Sequence, residues 1–291
     1  MKRYIKSFLF ISCLFAILIS LLFITRYYVA KHIDWSLSKE KHILFMGASH
    51  VCRGVDDSLT KEAINLGSPS ERYLYTYIKL LHYVENNPQV DTVFLQCSST
   101  DLWQNTDYKY HAYNEQSFFI SSYWPFFNKE QWQIFKLESK QIFSVVIASL
   151  SKLVYFQPAS YIKLLGGYIN ERKDNVAFDA TKQTPQLEMD MIKDYGWYGY
   201  SVNYKYLRKI IDYCKAHHIK LYLMYYPVFK PEFYYDQAFC ENMRKKCFDD
   251  VEYLDYSHWG ATDDERLDAH HLNYKGAVRF TEELKKRFGF E

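Results

Sequence analysis

Three residues that lie far apart in the sequence have side chains that together could carry out nucleophilic acyl transfer. Ser49 follows Gly47 and Ala48 directly after a compact apolar run, so its hydroxyl is expected on a tight turn. A serine hydroxyl is a weak nucleophile near neutral pH unless a base takes its proton and a third group holds that base. Asp268 and His271 offer such a pair, because residues three apart can meet within one helical turn.

Other histidines compete with His271 for the role of base. His270 is one residue short of that spacing from Asp268, and we expect it to be solvated. Asp255 and His258 form a second pair with the same spacing, but no His-Leu-Asn sequence follows them. His50, beside the serine, is more typical of a structural residue at the turn than of a second base. His271 therefore remains the favoured base.

The sequence around these residues predicts alternating buried strands and amphipathic helices. Short apolar runs that end at Gly, Pro or polar residues predict strands over residues 42–46, 63–66, 92–97, 220–226 and 251–256. Apolar residues at helical spacing predict helices over residues 70–86 (with Ser70 as N-cap), 203–218 and 274–287. This alternation indicates a three-layer α/β/α fold with a parallel sheet, whose site lies at the carboxyl ends of the strands.

The N-terminal segment predicts a membrane helix. Residues 7–25 carry no charge, and a helix of that length spans roughly 30 Å, the thickness of a bilayer core. The basic residues before it favour a cytoplasmic N-terminus and an extracytoplasmic body, in the periplasm or at the cell surface. A cleaved signal peptide is the alternative. We therefore divide the chain into an anchor, residues 1–30, and a domain, residues 31–291, with an aromatic-rich helical insertion at 105–200.

The composition narrows the classes of partner and cofactor. The 291-residue chain has 36 basic and 34 acidic side chains and a formal net charge of +2, which argues against nucleic acid as a partner. The cysteine spacing matches no zinc motif, and we expect no metal or other cofactor. Cys240 and Cys247 could form a disulfide if their segment is a loop, but two turns apart on a helix they would be too distant.

Four motifs resemble those of the SGNH (GDSL-like) hydrolase superfamily, and within it the N-terminally anchored, envelope-associated bacterial proteins. They are Gly-Ala-Ser-His after the first strand, Asn-Leu-Gly after the second, the segment 92–101, and Asp-Ala-His-His-Leu-Asn followed by Tyr-Lys-Gly-Ala. Together they frame residues 42–285 in the family's order. The resemblance implies the SGNH-hydrolase (flavodoxin-like) fold.

The resemblance also implies roles for individual residues. Ser49 matches the nucleophile, His271 the base and Asp268 the acid of the catalytic triad. The backbone N–H groups of Ser49 and Gly67 match two donors of the oxyanion hole, the set of donors that stabilises the negative oxygen of the transition state.

The third motif departs from the family's Gly-x-Asn pattern. The chain has Ser98-Ser99-Thr100-Asp101 there, so no asparagine side chain is available as the third oxyanion donor. The hydroxyl of Thr100 or of Ser98 could supply this donor instead. Candidate substrate contacts are His50, Asp101 and Trp103.

Two functions remain open at this stage. The first is a serine ester hydrolase or acyltransferase that acts on O-acyl groups, O-acetyl foremost, of an extracytoplasmic carbohydrate or envelope polymer. The second is an SGNH-fold protein without turnover that serves as a binding or assembly component of an envelope polysaccharide system. The altered third motif favours the second, and the triad favours the first.

Overall fold

A computed structural model describes most of the chain, namely residues 2–98, 101, 110, 113–135, 139–170, 178–179, 201–230, 244–245 and 248–291. The chain divides into two compact units. Met1–Asp34 and Gln116–Leu165 form one, here called the helical unit, and Trp35–Glu115 and Gly166–Glu291 form the other, here called the sheet unit.

The sheet unit contains a five-stranded parallel sheet. Its strands are β1 (Ile43–Met46), β2 (Ala63–Asn65), β3 (Thr92–Gln96), β4 (Lys220–Tyr225) and β5 (Glu252–Asp255). The strand order is β2-β1-β3-β4-β5, with every neighbouring pair parallel. This is the flavodoxin-like order, in which the connections diverge on either side of β1 and leave a crevice at its carboxyl end. Each predicted strand is confirmed to within two residues at either end.

Helices cover both faces of the sheet. They are α2 (Ser49–Gly54), α3 (Tyr73–Asn86), α8 (Val202–Ala216) and α9 (Tyr274–Phe288). On one face α2 packs on α9, and on the other α3 packs on α8. The predicted three-layer α/β/α architecture with a parallel sheet is confirmed.

The core beneath α9 is built from aromatic side chains. Phe45 and Phe94 stack across β1 and β3 with ring centroids 4.7 Å apart, and Tyr222 continues the stack from β4 at 4.8 Å. Phe280 and Phe288 of α9 close over this row. Their burial anchors α9, and with it the loop that precedes α9, to the sheet.

The predicted cap of α3 is wrong. Ser70 adopts a left-handed conformation with φ 61° in the turn before the helix, which begins at Tyr73 with Arg72 as N-cap. Ser70 therefore reverses the chain direction after Pro69 instead of accepting a hydrogen bond from the first helical turn.

The helical unit consists of the N-terminal helix and four shorter helices. They are α1 (Lys2–Lys31), α4 (Tyr113–Tyr123), α5 (Lys129–Ile134), α6 (Ser139–Ser151) and α7 (Pro158–Leu164). Within α1, Tyr4–Lys31 is long and apolar enough to cross a membrane, as a membrane anchor or a signal sequence would be. Within the predicted insertion at 105–200, the described residues form helices between 113 and 164, and residues 166–170 and 178–179 are not helical.

Candidate active site

Ser49 lies at the first position of α2, two residues beyond Gly47 at the carboxyl end of β1. Gly47 has φ 141°, and a Cβ atom there would lie 2.5 Å from the Cβ of Gln96. Only glycine fits this turn without displacing β3. The backbone N–H of Ala48 donates to Gln96 Oε1 at 3.0 Å, which fixes the residue before the serine. The sheet therefore holds the Ser49 backbone from both sides of the turn.

Asp268 and His271 lie on a short loop before α9. An antiparallel bridge between Arg266 and Leu272 closes this loop, and Leu267 N–H donates to His271 O at 2.9 Å. The prediction that the pair meets on a helical turn is wrong. Asp268 Oδ1 instead accepts the backbone N–H groups of His270 and His271 at 2.8 and 2.9 Å, an Asx-type turn that takes the place of helical bonds.

The loop is fastened to α9 by Asn273, the last residue of the His-Leu-Asn sequence. Asn273 caps α9, because its Oδ1 accepts the N–H groups of Lys275 and Gly276. Its Nδ2 donates to the carbonyl groups of Asp264 and Arg266 at 2.7 and 3.2 Å. One side chain thus ties the start of the loop to the helix that follows it.

The structure brings Ser49, Asp268 and His271 into one hydrogen-bonded chain. His271 Nε2 lies 2.8 Å from Ser49 Oγ, and His271 Nδ1 lies 2.9 Å from both carboxylate oxygens of Asp268. With the proton on Nδ1, the imidazole donates to Asp268 and its Nε2 lone pair accepts the serine proton. This is the geometry that a general base needs toward a serine nucleophile.

Asp268 is held in its ionised form by its neighbours. Partial burial of the carboxyl group acts to raise its pKa, but hydrogen bonds from the His271 ring and from the backbone N–H groups of His270 and His271 lower the pKa to about 2. The carboxylate is therefore charged at neutral pH and can stabilise an imidazolium on His271 as it forms. His270 contributes its backbone N–H to this arrangement, whereas the Ser49 hydroxyl bonds to His271.

His50 packs beside the triad as a neutral ring. Its centroid lies 5.1 Å from that of His271. Burial lowers the pKa of His50 well below its usual value, and the proximity of His271 and His270 lowers it further. A neutral ring here excludes water from one side of His271 without adding a competing positive charge.

The two backbone N–H groups expected as oxyanion donors, those of Ser49 and Gly67, differ in their hydrogen-bond partners. For the Ser49 N–H, at the start of α2, no acceptor is found within the described residues. The Gly67 N–H donates to Asn65 Oδ1 at 2.9 Å, so the expectation that it is a free donor is not met in this conformation. Gly67 serves close packing instead, because a Cβ atom there would lie 2.6 Å from Cys52 N. Thr100, the expected third donor, lies outside the described residues.

Of the candidate substrate contacts Asp101 and Trp103, the structure describes only Asp101. Asp101 is buried, and its Oδ2 accepts the backbone N–H and the hydroxyl of Ser98 at 2.9 and 2.8 Å. The Asp101 carboxylate therefore stabilises the turn from Ser98 to Asp101, and the Ser98 hydroxyl donates to this carboxylate. Trp103 lies outside the described residues, as do Cys240 and Cys247.

Asn65 positions α2 relative to β2, a role that is not apparent from the sequence. Its Nδ2 donates to Val51 O and Val55 O at 2.8 and 2.6 Å, while its Oδ1 accepts from Gly67. It therefore joins the end of β2 to the helix that begins with Ser49. The sequence shows an asparagine at the end of a predicted strand, two residues before a glycine, which could have indicated a structural role. It does not show that the partners of this asparagine are carbonyl groups at α2.

Comparisons with known proteins give partial matches. A protein-family model matches residues 189–290, which contain the Asp268–His271 loop. A search of curated protein sequences finds no match.

The chain is similar to three solved bacterial structures. A protein described as a platelet activating factor from Streptococcus pneumoniae shares 12% identity over 95% of this chain and 98% of its own, with a TM-score of 0.39. A protein described as an acylhydrolase, from Bacteroides fragilis, shares 13% identity over 89% of this chain and 91% of its own, with a TM-score of 0.40. A GDSL-like lipase from Bacteroides thetaiotaomicron shares 11% over 89% and 92%, with a TM-score of 0.38. The fold class is established by the strand order of the sheet and by the helix layers on its two faces.

Proposed function

We propose that the protein is an SGNH-type serine hydrolase or acyltransferase that acts on O-acyl esters. The observation that carries the proposal is the chain of hydrogen bonds from Ser49 Oγ through His271 to Asp268, at 2.8 and 2.9 Å. These residues come from the turn after β1 and the loop before α9, and they meet at the carboxyl end of the sheet, where parallel α/β folds bind ligands.

The first half of the proposed reaction forms an acyl-enzyme. Ser49 Oγ attacks the ester carbonyl carbon while His271 Nε2 takes the hydroxyl proton, and Asp268 stabilises the resulting imidazolium. The Ser49 N–H donates to the oxyanion of the tetrahedral intermediate. When this intermediate collapses, the ester bond breaks and the alcohol leaves with the proton from His271.

The second half releases the acyl group. Water, or the hydroxyl of an acceptor, loses a proton to His271 and attacks the acyl carbon, and Ser49 recovers its proton when the bond breaks. Hydrolysis and transfer use the same three residues. They differ only in which nucleophile reaches the acyl-enzyme.

The substrate class in this proposal is an acylated carbohydrate or envelope polymer outside the cytoplasm. Its support is the N-terminal helix: if Tyr4–Lys31 spans the membrane with the basic N-terminus inside, the sheet unit lies on the extracytoplasmic side. We propose O-acetyl groups on such polymers as the esters that it cleaves or transfers.

A second candidate function is binding or assembly without turnover. It is favoured by the oxyanion region, where Asn65 accepts from Gly67 N–H and Asp101 accepts from the Ser98 hydroxyl. Both groups would have to change partners before they could stabilise an oxyanion, and each missing donor costs roughly 3–4 kcal/mol in comparable acyl-transfer enzymes.

Labelling with a fluorophosphonate separates the two functions, because the probe forms a covalent bond only with an activated serine. We expect the full-length protein in detergent to be labelled, Ser49→Ala to be unlabelled, and Ser68→Ala, a nearby serine outside the triad, to be labelled like the wild type. Hydrolysis of p-nitrophenyl acetate and of acetylated sugars should follow the same order. A folded wild-type protein that takes up no probe would contradict the enzymatic function and support the second candidate.

A further inference from the structure

Helix α6 in the helical unit turns three large apolar side chains outward. Ile142, Phe143 and Ile147 are 50%, 66% and 48% exposed. Their spacing places them on one face of the helix. The face turned inward carries Ser144, Val145 and Ser149, which are 9%, 8% and 2% exposed. A helix at a water-exposed protein surface is expected to carry its large apolar side chains on the inner face and polar ones on the outer face.

Two basic side chains lie in the interior of the helical unit, among apolar ones such as Phe119 and Ile120. Arg26 and Lys152 are both buried. Lys152 Nζ donates to Phe118 O, Ser121 Oγ and Ser122 Oγ at 2.6–2.7 Å. Each of these bonds is made inside the unit, so Lys152 Nζ is satisfied without water.

Arg26 joins α1 to this interior. Its guanidinium donates to Ser149 O at 3.1 Å and to Tyr161 Oη at 3.2 Å, and Tyr161 Oη in turn donates to Ser122 O at 2.5 Å. Among the residues of this unit that the structure describes, no acidic side chain is buried beside the two cations. Basic side chains bonded inside the unit, together with large apolar side chains exposed on α6, fit a lipid environment.

The position of α6 along α1 matches the edge of a bilayer. Arg26 directly follows the uncharged segment 7–25, and Trp124 packs against Phe23 and Tyr27 with ring centroids 5.3 and 6.3 Å apart. Trp and Tyr side chains concentrate where hydrocarbon meets water. Because Arg26 contacts Ser149, α6 lies at the same level as this boundary.

From these contacts we propose that α6 lies in the membrane interface with Ile142, Phe143 and Ile147 among the lipid acyl chains. The inference rests on the proposed membrane anchor α1 and adds α6 as a second membrane contact. The helical unit then binds the bilayer through both helices. With 13 residues, α6 is about 20 Å long and too short to cross, so it lies along the surface as interfacial helices do. Exposed Phe118 and Val154 extend the apolar surface of the unit.

Site-specific photocrosslinking of the full-length protein in phospholipid vesicles tests this. The photoreactive residue p-benzoylphenylalanine replaces Phe143 in one variant, Phe15 of α1 in a second and Val278 of α9 in a third. Phe15 reports on the anchor, and Val278 is a 37% exposed apolar position on the sheet unit. Mass spectrometry detects phospholipid attached to each site, and circular dichroism melting checks that each variant is folded.

We expect lipid adducts at positions 143 and 15, with yields at least about tenfold above that at position 278, because acyl chains surround a seated residue. Adducts at 15 without adducts at 143 would overturn the proposal and leave the anchor intact. Crosslinked dimers through position 143 without lipid adducts would also overturn it and assign the face to a second copy of the chain. Lipid at neither position would refute both the anchor and the seated helix, whereas fluorophosphonate labelling of Ser49 tests the enzymatic function separately.

Discussion

His271 Nε2 lies 2.8 Å from Ser49 Oγ, although 222 residues separate the two in the sequence. The sheet brings them together, because β1 positions the serine and the packing of α9 on the same sheet positions the histidine. A single substitution at the histidine should therefore test the chemistry with little effect on the fold.

Replacement of His271 by alanine should lower kcat for ester hydrolysis by about 10⁴-fold or more, because no base then takes the serine proton. The melting temperature should stay close to that of the wild type, since the Asp268 bond to the backbone N–H of residue 271 remains. His270→Ala is the matched control and should change kcat less than about tenfold. The reverse order of the two effects would show that His270 is the base.

The pKa of Asp268 predicts a stability change at acid pH. Its folded-state pKa of about 2 lies below the unfolded value of about 3.9. The unfolded chain therefore binds the proton first as the pH falls, so stabilisation by the carboxylate is complete above about pH 4 and is lost as the pH falls toward 2.

Melting curves of wild type and Asp268→Asn between pH 2 and 6 test this assignment. The melting temperature of the wild type should exceed that of the variant by more at pH 5 than at pH 2, because an asparagine cannot titrate. A difference in melting temperature that is constant with pH would mean that the carboxylate is not stabilised by its contacts.

Replacement of Asn65 by alanine should lower the free energy of unfolding by about 2–4 kcal/mol, because it leaves two buried backbone groups without a partner. These are the carbonyl group of Val55 and the N–H of Gly67, whereas the Val51 carbonyl keeps its bond from the Val55 N–H at 3.2 Å. Urea denaturation measures the change, and Asn86→Ala, at an exposed position of α3, is the control. A loss below about 0.5 kcal/mol would show that water replaces these bonds.

The strands could be predicted from sequence because each has a local signature, whereas the hydrogen-bonded set of Ser49, Asp268 and His271 is predicted from the order of four separate motifs. Buried parallel strands are continuous apolar runs, as in residues 93–95, and Gly47, two residues before Ser49, marks the turn. The role of Asn65 could not be predicted, because its partners belong to α2 and the sequence does not show which carbonyls approach it. The same limit applies to Gly67, whose N–H could face either a substrate or a side chain.

Helix α6 shows a different limit of prediction from sequence. The spacing of Ile142, Phe143 and Ile147 reveals an apolar face but not whether that face is turned inward or outward. That depends on contacts with other helices, namely the bond from Arg26 of α1 to Ser149 O and the bond from Lys152, directly after α6, to Ser121 Oγ of α4. Amphipathic spacing alone could thus predict the helix but not its environment.

The buried ion pair between Glu71 and Lys79 should stabilise the loop that contains Gly67. Their side chains are 0% and 1% exposed, and Glu71 Oε2 lies 2.8 Å from Lys79 Nζ. Lys79 Nζ also donates to Leu66 O, directly before Gly67. Lys79→Met should lower the free energy of unfolding by about 3–5 kcal/mol, because it leaves the Glu71 carboxylate buried without its cation.

The double variant Glu71→Gln/Lys79→Met decides whether the loss comes from the unpaired charge. It should be more stable than Lys79→Met alone in urea denaturation, because removal of both charges leaves neither one buried and unpaired. Lys220→Met, which breaks the exposed pair with Glu252, is the matched control and should cost less than about 1 kcal/mol. If the double variant is instead less stable than Lys79→Met, Glu71 stabilises the fold independently of Lys79, through its bond from the Thr76 hydroxyl.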